Sequence, residues 1–532
     1  MEFTKMSSAK NTKLLIVFLM GSFLMGCSQS TNTNVSSFGN ISFVNSGSPE
    51  AQAAFLSGVK ALHSFQFDGA RIAFEEAQSI DPSFAMAYWG QAMSDNHPLW
   101  AQQDKKAAVK VLNRLAPTFE ERLAKSGSEK EQAYMTAIEA LYFSSDDKLE
   151  RDFAYSSALA RMHEKWPTDH EISIFYALSL LGTMRPGDDG YRRQALAASI
   201  AMSVFRENEN HPGAAHFTIH SLDDPEHAIL ALPAATVYAN IAPSSAHALH
   251  MPSHIFLQLG MWNRVVNSNI EAYAAAVSNN KKLGLKEGRE DFHTLSWLAY
   301  ANLMLGHFDR AEENVAMALA TAERNPDDAR IYSGYLTMRA RHVIETGDCG
   351  ETDLKNADSN EGQHIAWVTA VGMCAAKDLD INTATAALNR LSMMREKTEL
   401  SGKTYNALQT QVYEKELGAL IKAMQGEFDD AVALAKEASI IELENMSAPS
   451  GPPVPMKPAA EMYGEILAAA GRYDEAVNAY KTSLNWVPNR TPSILGLSSV
   501  ATKSGNLELA EEMQTKLQST PGMNSDRFSA SL

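Results

Sequence analysis

Cysteine, basic charge and long apolar runs are all scarce in this chain of 532 residues. Its 3 cysteines are too few for a fold held together by disulfides. Lysine and arginine number 46 against 63 aspartates and glutamates, and the net charge of −17 excludes a general affinity for nucleic acid. Beyond the N-terminal region no apolar run approaches the roughly 20 residues that a membrane-spanning helix needs, which excludes an integral membrane protein. We expect roughly three or four globular domains, or one long array of repeats.

The N-terminus has the features of a lipoprotein secretion signal. Three lysines within the first 13 residues precede the apolar run Leu14–Met25, which is too short to span a bilayer. The run ends at Met25-Gly26-Cys27, which resembles a bacterial lipobox, where a small residue precedes the cleavage site and a cysteine follows it. The resemblance implies that residues 1–26 are a signal peptide and that Cys27 carries a lipid.

The residues after the predicted cleavage site indicate where the protein resides. Ser28 follows the predicted lipidated cysteine, which favours sorting to the outer membrane of the bacterial cell envelope. Residues 27–47 are rich in Ser, Asn, Thr and Gly, a composition typical of a flexible tether. We therefore expect a protein that is bound to the membrane through lipidated Cys27 and faces the periplasm. In that oxidising compartment Cys349 and Cys374 are able to pair, but their spacing alone does not show that they do.

A series of small, apolar and proline positions occurs near both ends of the chain with identical spacing. Its members are Gly58, Ala70, Phe74, Ala77 and Pro82 in one copy, and Gly464, Ala476, Tyr480, Ser483 and Pro488 in the other. A shift of 34 residues also carries Gly471 and Ala476 onto Gly505 and Ala510. The series resembles the tetratricopeptide repeat (TPR), in which two antiparallel helices touch through small residues and a proline ends the unit.

A shorter phrase of glycine, an aromatic residue and aspartate predicts the turns between helices. It is GHFDRA at 306–311, GEFDDA at 426–431 and GRYDEA at 471–476, with a weaker copy, GMWNRV, at 260–265. Glycine suits the end of one helix, and aspartate suits the start of the next. We therefore expect an all-α fold, a TPR-like helical solenoid of antiparallel helix pairs.

The repeats and the segments between them predict how the chain is organised. After the tether we expect an N-terminal TPR-like repeat, a central helical region with a His-rich site, further TPR-like repeats, a Pro-rich loop, a C-terminal TPR pair and a frayed tail. Their ranges are 48–103, 104–290, 291–446, 447–457, 458–523 and 524–532. The loop, SAPSGPPVPMK, has four prolines and a glycine. We expect it to be ordered and to cross the inner face of the solenoid.

Histidine is concentrated in one part of the chain, where seven of the 15 lie between positions 211 and 254. The first segment is HPGAAHFTIH at 211–220. Its proline fits the first position of a helix, so His216 and His220 share one helix face. His211 stands at the entrance of that helix.

The second histidine segment, HALHMPSHIF, begins at His247. His250 and His254 follow at spacings that also select one helix face, although Pro252 kinks this helix or starts a new one. A returning helix over 225–240 would set the two histidine faces against a shared groove.

Imidazoles in this number suit a transition metal, with zinc and copper as the leading candidates. The candidate ligands are His211, His216, His220, His247, His250 and His254. Asp223, Asp224 and Glu226 are candidate acceptors behind them or a carboxylate ligand, and Met251 is a candidate ligand for copper. Two other interpretations stay open. The same imidazoles suit a metal-free site for acid–base or anion chemistry, and they also suit structural hydrogen bonds at helix ends. No spacing here matches a known catalytic motif, so the reaction, if any, is not indicated.

A second polar and aromatic cluster lies at WGQAMSDNHPLW, residues 89–100. Trp89, His97 and Trp100 are candidates for lining a ligand pocket. The competing interpretation places these aromatic rings in the packing between the first helix pairs, which is the more common role of such residues.

Five segments together are similar to a family of exported bacterial TPR lipoproteins. They are YWGQAM at 88–93, HPGAAHFTIH at 211–220, HMPSHIF at 250–256, GPPVPMKPAAEMYGE at 451–465 and PNRTPSILGL at 488–497. The resemblance implies a TPR architecture and a site at the two histidine motifs, but no reaction. The sequence therefore predicts a lipid-anchored solenoid that binds a transition metal or a small ligand. The alternative is a scaffold that binds a protein or peptide on its concave face.

Overall fold

The computed structural model describes residues 38–185, 190–350 and 364–528. The predicted signal peptide, residues 1–26, and the predicted lipidation site, Cys27, lie outside them. The described residues belong to one compact unit, Ser37–Leu532. None of the described helices combines the length and apolar character needed to cross a bilayer.

The first half of the unit consists almost entirely of consecutive helices. They are α1 (Gln52–His63), α2 (Phe67–Ile80), α3 (Ala85–Met93), α4 (Lys105–Leu115), α5 (Phe119–Ala124), α6 (Glu129–Phe143), α7 (Lys148–Lys165), α8 (His170–Gly182), α9 (Arg192–Glu207), α10 (Pro212–Ser221), α11 (Ala228–Ile241), α12 (Ala246–His250) and α13 (Pro252–Gln258). Two short strands, β1 (Asn96–His97) and β2 (Gln102–Gln103), pair antiparallel around the 3-10 turn Pro98–Trp100.

The second half of the unit continues the same architecture with longer helices. They are α14 (Trp262–Leu283), α15 (Glu290–Met304), α16 (Phe308–Arg324), α17 (Ala329–Thr346), α18 (Ile365–Lys377), α19 (Ile381–Leu400), α20 (Thr404–Met424), α21 (Phe428–Asn445), α22 (Ala459–Ala469), α23 (Tyr473–Trp486), α24 (Thr491–Lys503) and α25 (Leu507–Gln518). Most of these helices pack on the next one along the chain, so the all-α solenoid of helix pairs is confirmed.

The predicted turn phrase falls between helices at each of its four positions. Gly260, Gly306, Gly426 and Gly471 all adopt positive φ, between +68° and +80°, and each ends one helix two residues before the next begins. Glycine has no Cβ and adopts this left-handed conformation without a steric clash, which explains why the phrase begins with it.

The small residues of the repeat are needed because an aromatic ring fills the space beside them. A Cβ on Gly58 or Gly90 would lie 2.7 or 2.3 Å from the ring of Phe74. At the C-terminal end Tyr480 occupies the equivalent place, 3.0 Å from a Cβ on Gly464 and 2.3 Å from a Cβ on Gly496. The matched spacings in the sequence thus correspond to matched packing.

Both predicted flexible ends are shorter than expected. Within the predicted tether, Phe43 is buried in the core, and the backbone N–H of Asn40 donates to the carbonyl of Asn210 at 2.9 Å. Within the predicted frayed tail, the N–H of Asn524 donates to the carbonyl of Leu305 at 2.8 Å. The tether prediction is therefore wrong for residues 38–47, and the tail prediction is wrong for 524–528, because backbone pairing and apolar burial hold both segments on the body.

The Pro-rich loop, residues 447–457, is ordered and packs against helices from several pairs. The side chain of Gln258 on α13 donates to the carbonyl of Pro449 at 2.9 Å. Arg341 on α17 donates to the carbonyl of Pro453 at 2.7 Å. On α15, the ring of Trp297 lies so close to Gly451 that a Cβ there would be 2.5 Å from it. The loop thus packs against the ring of Trp297.

Two further links join distant parts of the second half. A disulfide connects Cys349, after α17, to Cys374 on α18. Arg490, fully buried before α24, makes a bidentate pair with Glu345 on α17 at 2.8 Å and pairs with Glu461 on α22 at 2.7 and 2.8 Å. The helices α17 and α22 and the start of α24 therefore meet at the buried guanidinium of Arg490.

Candidate metal centre

Six imidazoles from four helices lie next to one another, five from the first half of the unit and one from the second. They are His216 and His220 on α10, His247 and His250 on α12, His254 on α13 and His293 on α15. We refer to these six residues as the His groove. Five of them belong to the predicted ligands; His293 does not, and the sixth predicted ligand, His211, lies elsewhere.

The helix α10 presents its histidines as the sequence predicts. Pro212 occupies the first turn, and the side chain of His211 accepts the N–H of Ala214 at 3.2 Å as the N-cap. His216 follows on the buried face, where its Nδ1–H donates to the backbone carbonyl of His63 at 2.6 Å. This bond fixes the proton on Nδ1 and leaves Nε2 with a free lone pair.

The two short helices α12 and α13 keep one helical register in spite of Pro252. Met251 between them stays in the right-handed helical conformation, at φ −53° and ψ −35°. Pro252 then serves as the first residue of α13, so His254 stays one turn after His250. The Nε2 atoms of these two histidines lie 3.1 Å apart.

Hydrogen bonds on the far side of each ring determine where the protons of this pair are. His250 Nδ1 lies 2.7 Å from Asn269 Oδ1, and the amide nitrogen of Asn269 is committed to the carbonyl of Val265 at 2.8 Å. His254 Nδ1 lies 2.5 Å from the carboxylate oxygen Oδ2 of Asp223. Both partners are acceptors, so both Nδ1 atoms carry the hydrogen. Each of the two facing Nε2 atoms then carries a lone pair and no hydrogen.

A second pair of imidazoles, His216 and His247, also has facing Nε2 atoms, but only the proton of His216 is fixed by a hydrogen bond on the far side of the ring. His216 Nε2 and His247 Nε2 lie 3.1 Å apart, and on its far side His247 Nδ1 is 3.8 Å from Glu290 Oε1. Two nitrogens on a tetrahedral zinc ion, each about 2.0–2.1 Å from the metal, are roughly 3.3 Å apart. Both observed separations are close to this value, and the facing lone pairs of His250 and His254 repel each other unless a cation lies between them.

Burial favours the neutral form of four of these imidazoles. It lowers the pKa of His216 to about 3 and the pKa of His220, His247 and His250 well below the usual value, and neighbouring histidines act in the same direction. A neutral imidazole is the form that binds a metal. Burial also raises the pKa of Asp223, against the opposite influence of His254.

His220 and His293 complete the groove. His220 Nε2 is buried and has no hydrogen-bond partner, although a buried polar nitrogen normally has one. His293 is on the solvent-exposed side, with its ring centroid 4.6 Å from that of His250. On the same helix, Glu290 faces His247, and burial raises the pKa of this carboxyl to about 7.

His211 belongs to a separate, fully buried group with His63 and Glu171. Its Nε2 lies 3.1 Å from Glu171 Oε1, and His63 Nε2 lies 2.7 Å from the other oxygen of the same carboxylate. Because His211 Nδ1 accepts the N–H of Ala214, its proton must be on Nε2, where it donates to the carboxylate. His211 thus caps α10 and lies outside the His groove, and its role as a metal ligand stays a prediction. The two histidines hold the pKa of Glu171 at about 2, against the effect of burial.

The predicted aromatic cluster divides between core and groove. Trp89 is fully buried, packed against Phe43, Tyr134 and Phe175, so its prediction as a pocket residue is wrong. Trp100, half exposed, lies 6.4 Å from His247 between ring centroids. His97 stacks on Phe67, with 4.0 Å between ring centroids. It lies 6.4 Å from Trp100, which separates it from His247.

Two aromatic residues without a sequence signal shape the groove. Phe65, two residues after α1, has the left-handed conformation, φ +52°, which is uncommon for a bulky residue. Its ring centroid lies 4.4 Å from that of His216 and 5.4 Å from that of His247. Trp297 lies 4.3 Å from His254 and is supported from behind by the Pro-rich loop. Sequence analysis missed both, and also His293, because each is separated from the histidine motifs along the chain.

Comparison with known proteins adds no family assignment. No family model matches the chain, and no curated protein matches it. Among solved structures, the chain is similar at 13% identity to the TPR domain of P58(IPK), over 86% of this chain and 99% of that one, with a TM-score of 0.23. It is similar at 11% identity to yeast Tom70, over 90% and 98%, with a TM-score of 0.33. The human IFIT1 dimer with m7Gppp-AAAA gives 12% identity over 82% and 90%, with a TM-score of 0.34. At these scores the likenesses carry no argument about function.

Proposed function

We propose that the chain is a helical solenoid that binds a divalent transition metal, zinc or copper, in its His groove. The observation that carries this proposal is the pair of Nε2 atoms on His250 and His254, 3.1 Å apart, whose protons are held on Nδ1 by Asn269 and Asp223. Without a cation the two lone pairs face each other unfavourably. A metal ion between them removes that repulsion and uses both tautomers as they stand.

The composition of the groove supports a site with exchangeable ligands more than a purely structural one. Structural zinc sites are closed by four protein ligands, commonly with cysteine among them, whereas catalytic sites use three and leave a position for water or substrate. Here the donors are imidazoles in threes, and His293 and Trp100 border the solvent-exposed side. Glu290 beside His247 provides a carboxyl near the same opening.

The metal proposal is tested by the metal content of the purified full chain. We expect zinc or copper to co-purify or to bind after chelator treatment at neutral pH, and His216→Ala with His250→Ala to abolish binding. The matched control is His163→Ala with His170→Ala, because these two histidines lie outside the groove and bond to Ser173 and Glu207. A native chain that neither contains nor binds either metal would refute the proposal.

The second candidate function is a scaffold for a protein partner in the cell envelope. The solenoid fold favours it, since stacked helix pairs commonly present binding surfaces, and Ile229 and Leu230 on α11 are adjacent and more than half exposed. If the scaffold function is correct, the chain with His216→Ala and His250→Ala will support growth of a deletion strain as well as the unaltered chain.

The envelope location belongs to the same proposal. It is supported by the lysine-rich start, the apolar run Leu14–Met25 and Cys27 after a small residue, all of which lie outside the described residues. A lipid on Cys27 would place the His groove in the periplasm, where metal ions arrive before they reach the cytoplasm.

A further inference from the structure

The six imidazoles of the His groove form two sets of three. His216, His220 and His247 offer ligand nitrogens within 4.8 Å of one another, and so do His250, His254 and His293. Among the described residues no larger set satisfies that limit, so the six nitrogens do not converge on one point. Each set contains one pair of Nε2 atoms at 3.1 Å.

The two sets lie side by side. The ring centroids of His220 and His254, from opposite sets, are 6.0 Å apart, and those of His247 and His250 are 6.4 Å apart. Within the sets, the outer ring pairs are separated by similar distances, 6.1 Å for His220 and His247 and 6.5 Å for His254 and His293. The short helix α12 contributes one histidine to each set.

Each set has its own complement of supporting groups. In the first, the carbonyl of His63 fixes the proton of His216, and Glu290 faces His247. In the second, Asn269 and Asp223 fix the protons of His250 and His254. One carboxylate thus accompanies each set, which offsets the repulsion between two neighbouring cations.

We infer that the groove is a two-metal centre, with one divalent transition-metal ion bound by His216, His220 and His247 and a second by His250, His254 and His293. This rests on the proposed function and extends it from a metal site to a pair of ions. Three imidazoles leave each ion an open coordination position. The ligand class that such a centre takes is a small oxygen-donor anion or water shared by the two ions.

The inference is tested by the stoichiometry of zinc binding to the metal-free full chain in equilibrium dialysis. We expect two ions per chain, one after His216→Ala with His247→Ala, one after His254→Ala with His293→Ala, and none with all four changes. The chain with His163→Ala and His170→Ala is the control and should bind two. Glutamine at the same positions replaces alanine if circular dichroism shows that an alanine variant is unfolded.

The possible results separate the inference from the proposed function. If the unaltered chain binds one ion, the two-metal centre is overturned and the metal-binding function stays intact. This holds whether one or both of the double variants lose that ion. No bound ion overturns both. Adjacency is tested by loading the chain with Cu²⁺: we expect magnetic coupling in the electron paramagnetic resonance spectrum of the doubly loaded chain but not of either double variant. Uncoupled spectra at two ions per chain would overturn the shared centre.

Discussion

Replacing Asp223 by asparagine tests the link between tautomer and metal binding. The carboxylate accepts the His254 Nδ1–H at 2.5 Å, and the Asp223 side chain is only 5% exposed, so solvent screens this bond little. Asparagine removes the negative charge. If its amide nitrogen turns toward the ring, the proton of His254 moves to Nε2 and the ligand is lost.

The magnitude follows from the role of such carboxylates behind a metal-binding histidine. Their loss typically weakens metal affinity by about 10–100-fold, which corresponds to about 1.4–2.8 kcal/mol. We expect Asp223→Asn to weaken the binding of the ion at His250 and His254 by at least tenfold. Because His216 and His247 take their support from other residues, binding there should be unchanged.

The assay is competition for zinc between the full chain and a chromophoric chelator at neutral pH. Asp224→Asn is the matched control, since the neighbouring carboxylate accepts the N–H groups of Glu226 and His227 and takes no part in the groove. Equal affinities for the unaltered chain and Asp223→Asn would refute the reasoning. Equal losses in the two variants would show that the effect is not specific to His254.

Three further predictions concern packing, ionisation and anchoring. Ala476→Leu should overpack the fully buried contact between α22 and α23 and lower the free energy of unfolding by about 1–3 kcal/mol, measured by denaturant titration. Glu416 is buried without a hydrogen-bond partner for either carboxyl oxygen, and burial raises its pKa well above the usual value. A raised pKa in the folded state favours folding only while the carboxyl is protonated, and that advantage is lost as the pH rises above about 4.5. Glu416→Gln should therefore be more stable than the unaltered chain at pH 8 but not at pH 4, and equal unfolding midpoints at pH 8 would contradict this. Cys27→Ala should abolish acyl labelling and membrane fractionation, and a variant that still carries acyl chains would contradict the lipobox.

The helix pairs were predictable because their signals are local. A glycine at a turn, such as Gly471, and a small residue beside an aromatic ring, such as Gly464, each act within one repeat. Such residues therefore indicate a turn or a helix contact in every repeat that contains them. The packing of residues 38–47 was not predictable, because Ser and Asn are typical of loops whether or not a neighbouring surface, such as the carbonyl of Asn210, pairs with them.

The sequence predicted five of the six histidines of the candidate site, but not their division into two sets of three. Helical spacing correctly places His216 with His220, and His250 with His254, on common faces. The division into two sets depends on α12, which gives His247 to one side and His250 to the other, and on α15, which brings His293 from far along the chain. Such contacts depend on how helices are rotated about one another, and this rotation has no local sequence signal.

The contacts of the last repeat with the middle of the chain change how the molecule should unfold. An open array of repeats touches only its neighbours and loses its end units first. In this chain Thr491 donates to the carbonyl of Met304, and Asn489 donates to the carbonyl of Gln258, the last residue of the helix that bears His254. The last pair therefore cannot detach without breaking contacts near the groove, so residues from α13 to α25 should melt as one cooperative block, and stabilisation of the groove should extend to the C-terminus.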